Sequence, residues 1–451
     1  MLLKKFFRFV IPSIISMWIF ALYTMFDGIF VAHGIGEYAL AAVNISMPYT
    51  ILVFSIGLLM ATGTSTMINI YLGEGKTEEA QNTFNQNLFI LLIIGVGLTV
   101  FTLLNLEGIA YFLGATAETV EYVKKYLGCI SIFAVFFIVS YNLEIFVKSD
   151  GCPQLQIWGV LFCAVGNVAM DYVFVLKLHK GVEWAALSTG LAQVLSTTLF
   201  LIYFKFKGKK LKFKKFRFNL ALYKRIIPLG LSDSLTELSG GLVIFLFNQV
   251  ILATIGSRGI VSYTVISYVN TLVLNSMAGI SQGIQPLVSF HYGAGERKLC
   301  HKLLKYAMIG AVISGIFFVS MSLFAPQIPV SMFLNKENMD FFSYSIMAMQ
   351  LYGISFAFVG LNVVTAGYFT AIEKPVYSII ISAARSFVVL SLCLVSMTAL
   401  FGEYGIWIST GVSEGLCLLI SLFFFLRYRK ERKAANTTPA IGENNLINDL
   451  I

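Results

Sequence analysis

Long apolar runs alternate with short polar segments along almost the whole chain. Runs such as 9–31 and 341–369 are about 20 residues long or longer, enough for an α-helix to cross the hydrocarbon core of a membrane. The predicted spans cover residues 9–32, 45–70, 86–106, 122–147, 155–176, 184–204, 226–252, 259–289, 303–324, 341–371, 377–400 and 405–427. The pattern therefore predicts an all-α, polytopic membrane protein with twelve transmembrane helices.

The second half of the chain repeats the motif order of the first half. Three glycines recur at a constant offset of 220 residues, as the pairs Gly63 and Gly283, Gly73 and Gly293, and Gly75 and Gly295. Many secondary transporters consist of such repeats, with the substrate site where the halves face each other. The repeat predicts six-helix lobes over 1–204 and 226–430, joined by a linker over 205–225. Because each lobe has six spans, a pseudo-twofold axis along the membrane normal should relate them.

Composition excludes a water-soluble domain. Hydrophobic residues make up 57% of the chain and charged residues 12%, whereas an average soluble domain has about 25% charged residues. A soluble protein of this length could not cover its surface with so few charges.

The distribution of basic residues predicts the orientation. With the N-terminus inside, the inner segments hold 25 of the 32 lysines and arginines, as the positive-inside rule requires. Both termini are then cytoplasmic, and the protein is predicted to lie in the plasma or inner membrane of the cell.

The linker has ten basic residues and no acid, and we expect it to lie against anionic headgroups. The net charge of +9 reflects this bias, so nucleic-acid binding is not predicted. Residues 431–451 are predicted to be a disordered tail.

Cysteine and histidine usage suggests no metal centre. The six cysteines are scattered without a CxxC pair, and the four histidines lie in predicted loops. The inner loops also lack the paired acidic Mg²⁺ motifs of an intramembrane prenyl transferase. No cofactor and no enzymatic activity are predicted.

Polar side chains in the first half converge on one membrane depth. Asp27 is six residues before His33 and Asp171 is six before Lys177, at the outer ends of their spans. Thr189 is six residues after Glu183, where its span starts from the outside. At 1.5 Å per residue, all three lie about 9 Å below the outer surface. Asn167 shares a helix face with Asp171. These groups predict a site for a proton or small cation; alternatively, each acid forms a hydrogen bond that only fixes packing.

The second half has its own ionisable residues within spans. Arg385 and Glu414 lie near the midplane of adjacent spans, which favours an ion pair over a substrate contact. Glu237 has no evident basic partner and is the second-half candidate for binding a cation or proton. Asp233, four residues earlier, could share its face.

Two further features in the first half have structural interpretations. Glu144 is one helical turn before Lys148, and a structural pair is favoured. Pro12 interrupts the backbone hydrogen bonds of the first span and permits a bend, either fixed or movable.

Several motifs together resemble the MATE (multidrug and toxic compound extrusion) transporters. The resemblance covers nearly all of residues 5–430. It rests on Pro12, Asp27-Gly28, Gly34-x-Gly36, Ala39-Leu40-Ala41-Ala42, Pro48, Gly63, Gly73-x-Gly75, Gln282-Gly283-x-Gln285-Pro286 and Gly293-x-Gly295. It implies a V-shaped bundle of two lobes that exports organic, often cationic, aromatic compounds in exchange for H⁺ or Na⁺.

The resemblance also implies roles for particular residues. The cation site of the DinF-like branch corresponds to Asp27, Asn167, Asp171 and Thr189, with Tyr126 matching a nearby tyrosine, and Pro12 matches the bending proline of the first span. The NorM-like branch uses second-lobe carboxylates, one of which corresponds approximately to Glu237. Because the predicted span 341–371 contains no acid, the DinF-like branch is favoured.

The sequence thus predicts a monomeric antiporter for small organic molecules. Binding of H⁺ or Na⁺ at Asp27 and Asp171 would shift the equilibrium between outward- and inward-open forms. The alternative is a flippase for lipid-linked saccharides, which would need a cationic cavity to hold pyrophosphate. The within-span charges are mainly acidic, which argues against it.

Overall fold

The computed structural model of the chain describes residues 2–35, 37–334 and 339–437. The side chains of residues 26–29, 32–34, 37 and 433–437 are outside this description. All regular elements of the described residues are helices, so the predicted all-α class is confirmed.

Twelve helical units correspond to the twelve predicted spans. They are α1 (Leu2–Gly34), α2 (Glu37–Gly73), α3 (Thr77–Leu104), α4 (Val120–Ile132 and Ala134–Ser149), α5 (Gln154–Asp171 and Tyr172–Lys177), α6 (Val182–Phe206), α7 (Tyr223–Thr254), α8 (Ser257–Gly293), α9 (Arg297–Phe324), α10 (Met339–Gly353 and Phe356–Ala371), α11 (Pro375–Ala383, Ala384–Val388 and Val389–Phe401) and α12 (Glu403–Thr437). Short helices Leu106–Phe112 and Gln327–Ser331 lie in connections. Most of the twelve helices are longer than predicted because they continue past the apolar run that defines the span.

Four of the helices are irregular. A break at Phe133 bends α4 by 48°, and a break after Gly353 bends α10 by 41°. The segments Tyr172–Lys177 of α5 and Ala384–Val388 of α11 are π-helical, a conformation that is often found at functional sites. Ten unbroken helices and two bent pairs are apolar and long enough to give twelve spans.

The ends of the chain differ from the prediction in detail. Helix α1 continues through the buried Pro12. Helix α12 continues to Thr437, so residues 431–437, predicted to belong to a disordered tail, are helical. Residues 438–451 lie outside the described part of the chain.

Buried hydrophobic residues form two large clusters. One contains residues between 31 and 229, and the other contains residues between 247 and 428 together with Phe6 and Val10 of α1. Helix α2 packs along α7, and α1 packs along α8. The helices that join the two halves are therefore the first two of each half.

Two repeat-related glycines make reciprocal contacts at one end of the bundle. A β-carbon on Gly73 of α2 would collide with the carbonyl oxygen of Phe290 in α8. A β-carbon on Gly293 of α8 would collide with the carbonyl oxygen of Ile70 in α2. Since Ile70 and Phe290 are also 220 residues apart, the two contacts are equivalent under the repeat.

A second glycine pair, further along the same helices, faces the first helix of the opposite half. A β-carbon on Gly63 would meet the backbone of Ile226 in α7, and one on Gly283 would meet the backbone of Val10 in α1. We call Gly63, Gly73, Gly283 and Gly293 the glycine seam. The end of the bundle with Gly73, Gly293 and the linker is the basic end. The halves are in backbone contact there.

We expect Gly293→Val to destabilise the protein by about 1–3 kcal/mol, the usual cost of overpacking. The new side chain would push against the Ile70 carbonyl, which is backbone and cannot rotate away. The melting temperature of the purified chain measures the effect. Gly97→Val is the matched control, because a β-carbon there meets nothing within 4 Å. Equal melting temperatures for the two variants would contradict the proposed packing role of the seam.

Candidate functional site: a cavity and an adjoining polar cluster

A cavity of about 330 Å³ lies between helices of the first half and α7. Helix α2 lines it with residues from Val43 to Phe54. Phe54 is nine residues before Gly63, or about 14 Å along the helix. The cavity is therefore on the side of the seam away from the basic end, and its volume is in the range of small-molecule sites.

Aromatic rings form a continuous row along the cavity. The ring of Phe20 packs edge-on against Tyr23 at 5.3 Å and stacks on Phe54 at 5.7 Å between centroids. Phe54 in turn contacts Tyr141 edge-to-face at 4.7 Å. All four residues line the cavity. The row offers aromatic faces to a flat or cationic organic molecule.

Two carboxylates line the same cavity. Glu144 accepts a hydrogen bond from Nε2 of Gln156 at 2.8 Å. Oε1 of Gln156 accepts one from Oγ of Ser13, the residue after Pro12, at 3.4 Å. Glu237 of α7 has neither a hydrogen bond nor an ion pair to any described residue. One acid is thus held in place and the other is available to a ligand.

Tyr141 is at the centre of the acidic groups. It lies close enough to Glu144, Asp233 and Glu237 to interact electrostatically with all three, and its hydroxyl accepts a hydrogen bond from Nε2 of Gln282 at 3.3 Å. Since Gln282 is on α8, this bond connects the cavity wall with the second half.

Asp233 occupies a different position from Glu237. Its Oδ2 accepts a hydrogen bond from Oγ1 of Thr62 at 2.9 Å, beside the glycine seam, and the side chain of Gln285 on α8 lies nearby. Asp233 does not line the cavity. The two acids that were predicted to share a face thus have different surroundings, and the hydrogen bond of Asp233 connects α7 to α2.

A buried polar cluster of Asn167, Asp171, Ser188 and Thr189 adjoins the cavity. Oγ of Ser188 donates a hydrogen bond to Oδ1 of the fully buried Asp171. Nδ2 of Asn167 donates to Oγ1 of Thr189 at 3.2 Å. Oδ1 of Asn167 is buried without a hydrogen-bond partner among the described residues. The cluster therefore gathers carboxylate, amide and hydroxyl oxygens, the ligand atoms that hard cations prefer.

Neighbouring residues on two packed helices form this cluster. Asn167 and Asp171 are one turn apart on α5, and Ser188 and Thr189 are consecutive on α6. Asp171 ends the α-helical part of α5, and the π-helical turn that follows changes the direction of the later side chains. Sequence reasoning did not identify Ser188, although its adjacency to Thr189 was a signal.

Thr189 connects the polar cluster to the cavity. It belongs to the cluster through Asn167 and also lines the cavity, as does the buried Tyr126. The structure thus brings together the predicted Asn167, Asp171 and Thr189. The side chain of Asp27 lies outside the described part of the structure, so its predicted place in the cluster stays a prediction.

The predicted ion pair between α11 and α12 is present and buried. Nε of Arg385 lies 2.8 Å from Oε1 of Glu414, at an angle outside hydrogen-bond geometry. Nδ2 of Asn362 donates to Oε2 of Glu414 at 2.7 Å, and Ser421 donates to Oδ1 of Asn362 at 2.8 Å. None of these residues lines the cavity. This network therefore connects three helices of the second half by polar contacts.

The favoured pair between Glu144 and Lys148 is not a direct one. No ion pair within 4 Å joins these side chains, and Nζ of the buried Lys148 has no hydrogen-bond partner among the residues that the structure covers. Gln156 from α5 takes the position of the expected partner. Spacing along one helix could not reveal this, because Gln156 is on another.

The described lining of the cavity contains no lysine, arginine or histidine. Among the described residues there is also no group of three or more His, Cys, Asp or Glu side chains placed to hold a metal ion. The site can therefore offer negative charge and aromatic faces to a small molecule, with oxygen ligands for an ion beside it.

Comparison with known proteins identifies the family. The MatE family model matches residues 12–173 and 238–395. The multidrug export protein MepA of Staphylococcus haemolyticus is 26% identical over 442 residues, covering 94% of each chain. MepA of Staphylococcus saprophyticus is 24% identical, again over 94% of each chain.

Solved structures share the fold. A crystal structure of MATE in the bent conformation has a TM-score of 0.88 and 21% identity, over 97% of each chain. The outward-facing conformation of a multidrug resistance MATE family transporter has a TM-score of 0.88 and 23% identity, over 96% of this chain and 97% of that one. The chain therefore belongs to the MatE family, is a multi-pass membrane transporter, and is not an enzyme.

Proposed function

We propose that the protein is an antiporter that exports organic cations with aromatic groups in exchange for H⁺ or Na⁺. The observation that carries the proposal is the cavity that combines a row of four aromatic rings with Glu144 and Glu237 and has no basic residue in its described lining. Cation–π contacts and a nearby carboxylate both favour a cationic ligand. The relatives named multidrug export proteins support the same substrate class.

In this proposal, Glu237 recognises the positive charge of the substrate. It has no competing partner among the described residues, and in the described lining of the cavity it is the one residue from the second half. A flippase for lipid-linked saccharides would need cationic groups there instead. Arg385, the within-span arginine, is paired with Glu414 away from the cavity, which argues against the flippase.

The coupling ion would bind at the polar cluster. Asp171, Asn167 and Thr189 supply oxygens, and Asp27 is assigned to the same site by the family resemblance. Because Thr189 also forms part of the cavity wall, ion binding and substrate binding share a residue and can oppose each other. The location of the cluster favours the DinF-like branch. Helix α10 does contain Asp340, but that side chain is 71% exposed and pairs with Arg258.

The two halves would be lobes that rock about the pseudo-twofold axis. The reciprocal contacts of the glycine seam support this symmetry. With the basic end in the cytoplasm, the seam closes the inner side, and the cavity belongs to an outward-facing, monomeric transporter. Pro12, one residue before Ser13 of the Glu144 network, is the proposed hinge.

The inward movement of the coupling ion would supply the free energy for export. This driving force is about 2.3 kcal/mol per charge for each 100 mV of membrane potential, plus about 1.4 kcal/mol for each pH unit per proton.

Uptake of a fluorescent aromatic cation into inverted vesicles, which corresponds to export from the cell, tests the proposal. A pH gradient and a Na⁺ gradient are imposed separately, and one of them should drive transport. Transport driven by neither gradient would contradict the antiport mechanism.

We expect Glu237→Gln to raise the KM for the cationic dye about tenfold, corresponding to a loss of about 1.4 kcal/mol in binding. The KM for a neutral aromatic compound should change little, because the aromatic row remains. Glu121→Gln is the matched control, since that carboxylate is 67% exposed and outside the cavity. An equal effect on both substrates would assign Glu237 to packing rather than to charge recognition.

A further inference from the structure

The middle of the linker, residues 209–219, is not helical and is fixed to α3. Four amide side chains on one face of α3 form hydrogen bonds with its backbone, and two of them each bond both the N–H and the C=O of a single residue. Oδ1 of Asn82 accepts a hydrogen bond from the backbone nitrogen of Arg217 at 2.6 Å, and Nδ2 of Asn82 donates one to the backbone oxygen of Arg217 at 2.9 Å. Gln86 does the same with Asn219, at 3.0 and 2.9 Å. Gln81 and Asn85 bond the backbone of Lys212 and Lys214.

A buried carboxylate fixes the beginning of the same segment. Asp150, which is 1% exposed, accepts hydrogen bonds from the backbone nitrogens of Lys209, Lys210 and Leu211 at 2.6–2.9 Å. The hydroxyl of Tyr203 donates to it at 2.6 Å. The charge of Asp150 is thereby satisfied by backbone groups, and the lysine side chains of the linker take no part in holding it.

The basic side chains of the linker are therefore available. Eight lysines and arginines between 205 and 217 are exposed, and none forms an ion pair within 4 Å with a described carboxylate. They repel one another, and the backbone hydrogen bonds keep them together despite that repulsion. Such a fixed row of positive charge attracts anions.

An apolar groove of about 350 Å³ opens beside this row. Side chains from α3, α4 and α6 form its floor, and Phe213, Lys214 and Phe216 of the linker form its rim. The ring of Phe216 packs on Phe89 of α3 at 5.6 Å. Phe89 and Leu92 are 45% and 47% exposed on the outer surface of a membrane-spanning helix. The groove thus faces lipid.

We propose that this groove and the linker form a binding site for an anionic phospholipid of the leaflet at the basic end. One acyl chain lies in the groove, and the phosphate is bound by Lys214, which lines it, with its neighbours Lys212 and Lys215. The charge of the row selects an anionic headgroup, and the apolar floor selects a lipid over a soluble anion. The site is independent of the transport cavity, so it does not rest on the proposed function.

Native mass spectrometry of the full-length protein with phosphatidylglycerol or phosphatidylcholine tests the site. We expect retention of phosphatidylglycerol in preference to phosphatidylcholine. The triple variant K212Q/K214Q/K215Q should weaken phosphatidylglycerol binding at least about tenfold. Leu201→Trp, which fills the groove without changing the charge, should weaken it as well. Free inorganic phosphate at millimolar concentration should not displace the lipid.

The matched control is K298Q/K302Q/K305Q, which removes three exposed lysines at the basic end away from the groove. It should bind phosphatidylglycerol like the unchanged protein. Equal losses in both triple variants would indicate nonspecific charge attraction and overturn the proposal. Full binding by the linker variant or by Leu201→Trp, equal binding of phosphatidylcholine, or displacement by phosphate would overturn it too.

Discussion

We expect Asp171→Asn to reduce ion-coupled efflux of a cationic dye roughly 5- to 150-fold, the range of a coupling free energy of about 1–3 kcal/mol. The asparagine keeps an oxygen that can accept the hydrogen bond from Ser188, but it carries no charge and takes up no proton. Binding of the dye itself should persist, because Asp171 does not line the cavity. Uptake of the dye into inverted vesicles and equilibrium dye binding to the purified protein measure the two quantities.

Asp340→Asn is the control for this experiment. The Asp340 side chain is 71% exposed and pairs with Arg258, so its loss should leave efflux unchanged. Ser188→Ala removes the hydrogen-bond donor while keeping the carboxylate, and we expect it to retain part of the coupling. Full coupled efflux by a well-folded Asp171→Asn variant would disprove the assignment of the coupling ion to the polar cluster.

The second large effect concerns stability. We expect Glu414→Ala to lower the free energy of unfolding by about 3–5 kcal/mol, because it leaves Arg385 as an uncompensated buried charge. Asn362 also loses the acceptor for one hydrogen bond. Unfolding of the reconstituted protein in a denaturing detergent, followed by circular dichroism, measures the loss.

The double variant Arg385→Met/Glu414→Met distinguishes the effect of an unpaired buried charge on stability from the effect of lost side-chain volume. Since apolar residues can replace a buried pair at little cost, the double variant should recover most of the stability. Glu403→Ala, which removes a partly exposed partner of Arg258, should cost less than about 1 kcal/mol. A double variant as unstable as Glu414→Ala would show that the pair contributes more than charge compensation.

Much of the fold follows from the sequence because a membrane imposes a minimum length on apolar helices. Every predicted span corresponds to a helix, and Gly73 and Gly293, one of the glycine pairs at the 220-residue offset, make equivalent contacts. The breaks at Phe133 and after Gly353 were not predicted. Apolar residues surround both breaks, and neither proline nor a run of glycines marks them in the sequence.

The polar cluster could be predicted in part. Asn167 and Asp171 share a helix face, so spacing alone placed them together, and depth added Thr189. The position of Glu144 in the cavity depends on Gln156 from another helix, a contact that periodicity does not contain. The positive charge of the linker could be predicted from the sequence. The hydrogen bonds by which amide side chains of α3 fix the linker backbone could not.

The glycine seam has a consequence for how conformational switching responds to the solution. Among the described residues, no ion pair joins a residue before 205 to one after 225. Parting of the halves at the basic end thus separates close-packed main chains rather than opposite charges. High ionic strength weakens ion pairs between parts of a protein. Because no such pair joins the halves here, changing the ionic strength should leave the equilibrium between the outward-open and inward-open forms nearly unchanged.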